Sequence, residues 1–500
     1  MRTLFVNRLP GWLRLAGTRD GLAETLSVFR EDEPATGSIF LGRVTKLLPG
    51  IEAAFLDLGE AGSAFLNRRD LPRHVAPTRN AGLGSVLKEG RSLPVQIKVP
   101  AYADKHVQVT ANLTLAGFSC ILIPFGSGIR FSRNFKGDQS AFQQELLSDP
   151  AFSGSHGWMI RSAASETPVA QVAAEATRLR ERFKAIESSA GTGSPRILHP
   201  VDPVMAFLLD RSGAEPLQAI LVDDEATLER ISDALQDHPP LKTLLKYHSE
   251  PTPMFDLYKL ESEFQRALGR TVWLKSGGRI AIHQTPAMTV IDVDSGKNVK
   301  QKGRLSAAMR ANLQAAEEAC RQIRLRNLAG IIAVDFINVR DPDWRTDVNQ
   351  ALRRSLALDP VRTRLVEVNE IGLAHITRER RGPSLEESLK ASCTVCRGTG
   401  LVERPGATAI RIQHQIVREA PGLAGESLVI RCSPGLAGYL EKRKARLFAQ
   451  LESNYGIAIS VRAQSSLPPE DFNIELAADI SMERPDKRNG NRSDCPQKEA

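Results

Sequence analysis

Hydrophobic and polar positions alternate with a period of two through much of the first third of the chain, the pattern of strands that bury one face. Residues 1–35 read as strands separated by turns: "TLFVNR", "WLRLAGTRDG" and "LAETLSVFR". The stretch 37–71 breaks into short strands at Pro-Gly and glycine-rich turns, as a small barrel does, and a further barrel-like part follows at 90–115 after a loop at 72–89. Alternation over 116–165 predicts strands throughout. Residues 166–188 switch to helical spacing, "GTGSP" at 191–195 is a linker, and 201–268 mixes short strands and helices, which predicts an α/β unit.

The most informative pattern is "TVIDVDSGK" at 289–297. Thr289, Ile291 and Val293 share one face of a strand, and Val290, Asp292 and Asp294 share the other. A long helix over about 303–328 follows, its apolar positions Leu305, Met309, Leu313, Ala316, Cys320 and Ile323 keeping near-helical spacing. "IIAVDFINV" at 331–339 is a second strand whose continuous apolar start predicts burial on both faces. Strand, helix and strand make a crossover unit, which can bring Asp335 to the same sheet edge as Asp292 and Asp294. Carboxylates packed together repel unless a cation sits among them. Magnesium suits the set, because it takes one or two carboxylates plus waters and leaves positions for phosphate oxygens. Strand-end capping and ion pairing are the alternative uses of the same residues.

Composition adds three constraints. The chain of 500 residues is 42% apolar and 25% charged, a globular balance with room for roughly three or four domains. A formal net charge of +8 leans toward polyanionic partners such as nucleic acid. The N-terminus has no apolar signal-peptide core and no run approaches the ~20 apolar residues of a membrane span, so no membrane span and a cytoplasmic location are expected.

The six cysteines, Cys120, Cys320, Cys393, Cys396, Cys432 and Cys495, do not form a disulfide framework. Cys393 and Cys396 in "CTVCRGTG" are spaced like half of a structural zinc site, which takes four ligands. No second such pair exists in the chain. One resolution is a zinc shared by two chains; a redox pair or two unligated thiols are the others.

"FLGRVTKLLPGIEAAFLDLGEAGSAFL", "VIDVDSG", "NLQAAEEACRQIRLRNLAGIIAVDFI" and "CTVCRGTG" occur in the order found in the ribonuclease E/G family of bacterial endoribonucleases, which the chain resembles over about residues 1–480. The resemblance implies an α/β multidomain chain with several parts. An RNase H-like structural domain would be formed by 1–35 and 206–267, an S1-type OB-fold barrel by 36–112, and a 5′ sensor region by 113–205. A DNase I-like catalytic domain would follow at 268–390, a zinc link at 391–404, a small C-terminal α/β domain at 405–483, and a disordered tail at 484–500.

By resemblance, Asp292 and Asp335 hold a catalytic magnesium, while Asp294 stands where the family usually has an orienting asparagine. That change adds charge and bears on metal affinity and preference. Phe55 and Phe65 would stack bases and Lys105 would meet the RNA backbone, in keeping with single-strand binding by aromatic platforms and cationic tracking; barrel core is the other use of the phenylalanines. "MIRSA" at 159–163 matches the family's 5′-phosphate sensor, with Arg161 forking onto the phosphate, Ser162 supplying a hydroxyl and Arg362 nearby. Cys393 and Cys396 match a zinc link between two subunits, which implies a homodimer or a dimer of dimers. The implied activity is magnesium-dependent cleavage of single-stranded, AU-rich RNA, favouring 5′-monophosphorylated substrates, in rRNA and tRNA processing and mRNA decay. The chain ends soon after the small C-terminal domain, so a ribonuclease G-like architecture without a degradation scaffold is expected.

Overall fold

A computed structural model describes residues 2–72, 75, 83–102, 105–191, 193–210, 217–236, 238–296, 304–339, 343–391, 393–396 and 398–477, the side chains of 304–306 apart. The Leu305 position of the helical pattern, Cys495 and the expected tail at 484–500 therefore lie outside the described side chains or residues. The chain divides into two compact units, Met1–Lys390 and Ala391–Ala500.

The first unit is a mixed α/β assembly of four sheets. Strands Arg2–Leu9, Trp12–Arg19 and Leu22–Arg30 form an antiparallel meander. The first of them also pairs in parallel with Ala219–Val222, which pairs in parallel with Leu245–Tyr247. Both faces of this sheet are buried: Leu4, Val6, Leu13 and Leu15 pack with Phe207 and Ile231, and Phe5, Ala16 and Leu26 pack with Phe255, Phe264 and Leu325.

Strands Ile39–Leu48, Ala53–Asp57, Ser63–Asn67, Val107–Thr110 and Ser92–Val99 form a closed five-stranded barrel, shut by pairing of the first with the last. The two barrel-like stretches of the sequence are thus halves of one barrel. Its interior is filled by alternating residues such as Ala54, Leu56, Ala64, Leu66, Val95 and Val109.

The stretch expected to be all strand, 116–165, contains the helix Gln139–Leu147, started by the Asp138 carboxylate accepting from the N–H groups of Ser140 and Ala141. The surrounding four-stranded sheet packs on the helix Val169–Ser189 through Leu122, Trp158, Ile160, Val172, Ala176 and Leu179.

The fourth sheet carries the acidic strand. Its order is Thr271–Trp273, Arg279–Gln284, Thr289–Asp294, Gly330–Asp335, Leu373–Arg378, Thr363–Val366. The strands bearing Asp292 and Asp335 are parallel neighbours joined by the helix Arg304–Leu325, as a crossover requires. Ala315, Ala316, Ala319 and Cys320 let this helix lie close against Ile291, Val293, Ile332 and Val334, and Trp344–Leu356 packs on the same face. Burial of Gly330–Asp335 on both faces is therefore corrected: both long helices cover one face, and Ile331 on the other is 47% exposed. A continuous apolar run cannot tell a strand with two covered faces from one with a single open face that tolerates Ile331.

In the second unit, Ser427–Cys432 pairs in parallel with Ala458–Ala463 and antiparallel with Phe472–Leu476. Helices Pro405–Glu419, Pro434–Glu441 and Lys444–Tyr455 complete its core through Ile412, Ile416, Leu440 and Phe448.

Candidate active site

Register decides what meets on the open face of the fourth sheet. Ala281, Asp292, Asp335 and Leu373 lie in one rung across four strands. Neighbouring strands run ~4.8 Å apart, so the two carboxylates are nearest neighbours on one side of the sheet. Both residues are exposed, and neither carboxylate makes a hydrogen bond or ion pair among the described residues. Like charges directly opposite each other destabilise a sheet, and a divalent cation bound between them removes that repulsion. The pair thus fits a hard cation with oxygen ligands that keeps most of its waters.

Two devices hold Asp335 in place. Immediately after it, the Phe336 N–H donates to the Gly372 carbonyl at 3.0 Å. Gly372 has φ of +90°, and a Cβ there would lie 2.9 Å from the Phe336 oxygen, so glycine is required. One residue further, the fully buried Asn312 clamps the main chain: its Nδ2 donates to the Ile337 carbonyl at 2.8 Å and its Oδ1 accepts from the Ile337 N–H at 3.1 Å.

Asp294 lies two residues along the strand on the same face, but it is engaged. Its Oδ2 accepts from Arg279 Nε at 3.1 Å and forms an ion pair with Arg279 Nη2 at 2.9 Å, and its Oδ1 accepts from the Gly296 N–H at 2.9 Å. The Gly296 N–H is the leading cause that lowers the Asp294 carboxyl below its usual value; burial opposes it, and the hydrogen bond and charge of Arg279 add to the lowering. The charge that aspartate adds at this position is met by Arg279. The sequence singled out Asp294 but not its partner.

On the barrel, Phe55 and Phe65 are cross-strand partners with ring centroids 5.8 Å apart, and His106 stands 5.1 Å from Phe55. Both phenylalanines are half-buried on the outer surface, while Ala54, Leu56, Ala64 and Leu66 supply the core. Barrel core is therefore not their use. The exposed Lys105 places Nζ 5.2 Å from the centre of the Tyr102 ring, and Arg380 stacks on that ring at 4.8 Å. Tyr102, His106 and Arg380 were not flagged by the sequence, in which they sit in an unpatterned loop and beyond a strand end.

Arg161 follows the strand Gly157–Ile160 and turns inward. Its guanidinium donates to the Gly117 carbonyl at 3.3 Å and to the Leu209 carbonyl. Burial pushes it below the ordinary arginine range, while Asp210 and Glu175 pull it back up and the charge of Arg381 pushes it further down. Arg381 itself pairs with Asp210 at 2.5 Å. Ser162 opens the short helix Ser162–Glu166. Arg362 is exposed, and its carbonyl accepts from Glu379 N–H at 3.0 Å. Arg381, which the sequence did not single out, is the arginine whose field reaches Arg161.

In the second unit, Cys393 and Cys396 sit on a turn ahead of Pro405–Glu419. The N–H groups of Cys396 and Val395, with the Cys396 thiol, lower the Cys393 thiol below its usual value. That favours the thiolate form that binds metal. No group of three or more His, Cys, Asp or Glu among the described residues is arranged to hold a metal ion.

The family model for ribonuclease E/G matches residues 114–381, just over half of the sequence, and the chain belongs to that family. A second model, the thioredoxin-like domain of RNase E/G, matches residues 392–477. Ribonuclease G of Escherichia coli (strain K12) is 28% identical over 485 residues, covering 95% of this chain and 99% of that protein. Ribonuclease G of Haemophilus influenzae is also 28% identical, covering 94% and 98%. Ribonuclease E of a Nostoc species is 30% identical over 384 residues, which are 75% of this chain and 56% of that protein. Among the described residues, no helix is long and apolar enough to cross a membrane.

Proposed function

We propose that the chain is a magnesium-dependent endoribonuclease that cuts single-stranded RNA and leaves 5′-phosphate and 3′-hydroxyl ends. The observation that carries this reading is the rung that sets Asp292 beside Asp335, solvent-exposed and without a partner among the described residues. A divalent ion held by these two carboxylates would activate water for attack and neutralise charge developing on the phosphate. The chain's own part is to set the two carboxylates side by side through strand register and to hold Asp335 through Asn312 and Gly372. The barrel, as an S1-type OB fold, would receive the strand on Phe55 and Phe65, with Lys105 meeting its phosphates.

Preference for AU-rich RNA and for a 5′-monophosphate belongs to the same reading, with Arg161, Ser162 and Arg362 as the end sensor. The inward-turned Arg161 would have to exchange a carbonyl for phosphate to act there. A zinc shared through Cys393 and Cys396 of two chains would make the working form a homodimer or a dimer of dimers. Roles in rRNA and tRNA processing and in mRNA decay, and a cytoplasmic location, belong to the same reading.

The test is cleavage of a short fluorescent single-stranded RNA bearing a 5′-monophosphate, with magnesium or with EDTA, by wild type and by Asp335→Asn. Magnesium-dependent cutting that the variant loses, with RNA binding retained, supports the reading. Binding without cutting by wild type across several metals would instead mark a non-catalytic RNA-binding factor.

A further inference from the structure

We infer that Arg279 and Asp294 form a charge-neutral pair that keeps Asp294 out of the metal's ligand set and thereby sets how tightly Asp292 and Asp335 bind a divalent cation. The inference rests on the acid-site reading above and deepens it. Asp294 is then a positioning residue, and Arg279 its obligatory counter-charge.

The pair is built by the hairpin that precedes the acidic strand. Cross-strand register sets Arg279 opposite Asp294, two rungs beyond Ala281 opposite Asp292 and on the same face. The edge of the guanidinium meets Oδ2 through both Nε and Nη2, and the Gly296 N–H takes Oδ1, so each oxygen is already engaged. The Gly296 contact depends on a left-handed backbone, φ +68°, that glycine adopts without strain. The planar guanidinium fork of Arg279 holds the carboxylate in one orientation. By contrast, Asp292 and Asp335 face only Ala281 and Leu373 along their own rung. Two carboxylates are left for the cation, and a third is held beside them with its charge cancelled.

The pairing makes a signed prediction from counting charges. Among the described residues at the acid pair, wild type carries two uncompensated negative charges, Arg279→Met three, Asp294→Asn one, and the double variant again two. A unit charge two residues along a strand stands ~6–7 Å away. In water it alters the affinity for a divalent ion by about five- to ten-fold, falling to about two- to three-fold at physiological salt. Arg279→Met should therefore bind more tightly, Asp294→Asn more weakly, and Arg279→Met with Asp294→Asn as wild type does. Arg279→Lys, which keeps the charge, should stay near wild type.

The experiment titrates Mn²⁺ into the full chain by electron paramagnetic resonance at low and at physiological salt, with Asp335→Asn defining the occupancy that belongs to the acid pair. Circular dichroism checks that each variant is folded; both side chains are more than 40% exposed, so neither substitution opens the core. Opposite shifts that cancel in the double variant support the pair. Equal weakening in Asp294→Asn and the double variant would make Asp294 a ligand and overturn the inference, as would an unchanged Arg279→Met. Identical Mn²⁺ binding by wild type and Asp335→Asn would instead remove the acid-site reading, and this inference with it.

Discussion

Asn312→Ala tests whether the position of Asp335 is imposed from the helix behind the sheet. The substitution removes both arms of a clamp on Ile337, the Nδ2 bond at 2.8 Å and the Oδ1 bond at 3.1 Å, from a side chain with no exposure. Each bond contributes about 1 kcal/mol net, and stranding partly buried main-chain groups adds to the loss, so about 2–3 kcal/mol of local stability should go. The strand Gly330–Asp335 should then open more often, and its amide hydrogen exchange should speed up by about 30- to 150-fold. The strand Ala219–Val222, in another sheet, serves as the internal reference. Asn312→Asp keeps an acceptor for the Ile337 N–H but turns an acceptor toward the Ile337 carbonyl, so it should lose at least as much. Exchange of Gly330–Asp335 within about twofold of wild type in both variants would refute the clamp.

Phe55→Ala and Phe65→Ala should each weaken binding of a short single-stranded RNA by about tenfold with the barrel still folded, read by fluorescence anisotropy; unchanged affinity would assign both rings to some other use. In a Cys495→Ser background at neutral pH, with zinc removed by a chelator, Cys393 and Cys396 should react with a thiol reagent, while the buried Cys120, Cys320 and Cys432 wait for denaturant. Burial pushes Cys320 up to about 12 and Cys432 to about 11, far from the thiolate form that reacts. Native-state labelling of Cys320 would contradict its packing. Cys393→Ser with Cys396→Ser should release about half a zinc per chain and shift the mass toward monomer in light scattering; a retained oligomer would contradict a shared zinc.

The acidic strand was legible because alternation alone sorts "TVIDVD" into an apolar face and an acidic one. The crossover was legible too, since a long amphipathic helix between two strands has few other uses. Register was not. Nothing local in "IIAVDFINV" says that Asp335, and not Ala333, stands beside Asp292; that alignment depends on Asn312 and Gly372, which are 23 and 37 residues away from it in the chain. The Arg279–Asp294 pair stayed hidden for the same reason, because cross-strand partners are fixed by the length of a hairpin turn and carry no mark of their own. Phe55 and Phe65 were ambiguous while the phase of the barrel alternation was unknown. Arg161 read as an anion fork because the motif gives residue types, whereas the carbonyls it meets come from Gly117 and Leu209, 44 and 48 residues away.

The open face of the fourth sheet explains a cost that packing alone would avoid. His283, Asp292, Asp294, Asp335 and His375 share it with Ile331, Val366 and Trp273, the last 70% exposed. A third helix over this face would bury those apolar groups and stabilise the sheet, at roughly 25 cal/mol per Å² of apolar surface. It would also strip water from two adjacent carboxylates, and desolvating that charge costs several kcal/mol per ion unless a partner arrives with it. Both long helices therefore crowd one side, where the strands present Ile280, Ile282, Ile291, Val293, Ile332, Val334, Ala374 and Ile376. The other side stays accessible, which keeps Asp292 and Asp335 hydrated until something of opposite charge binds. Exposed Ile331 and exposed Asp335 are two results of the same arrangement.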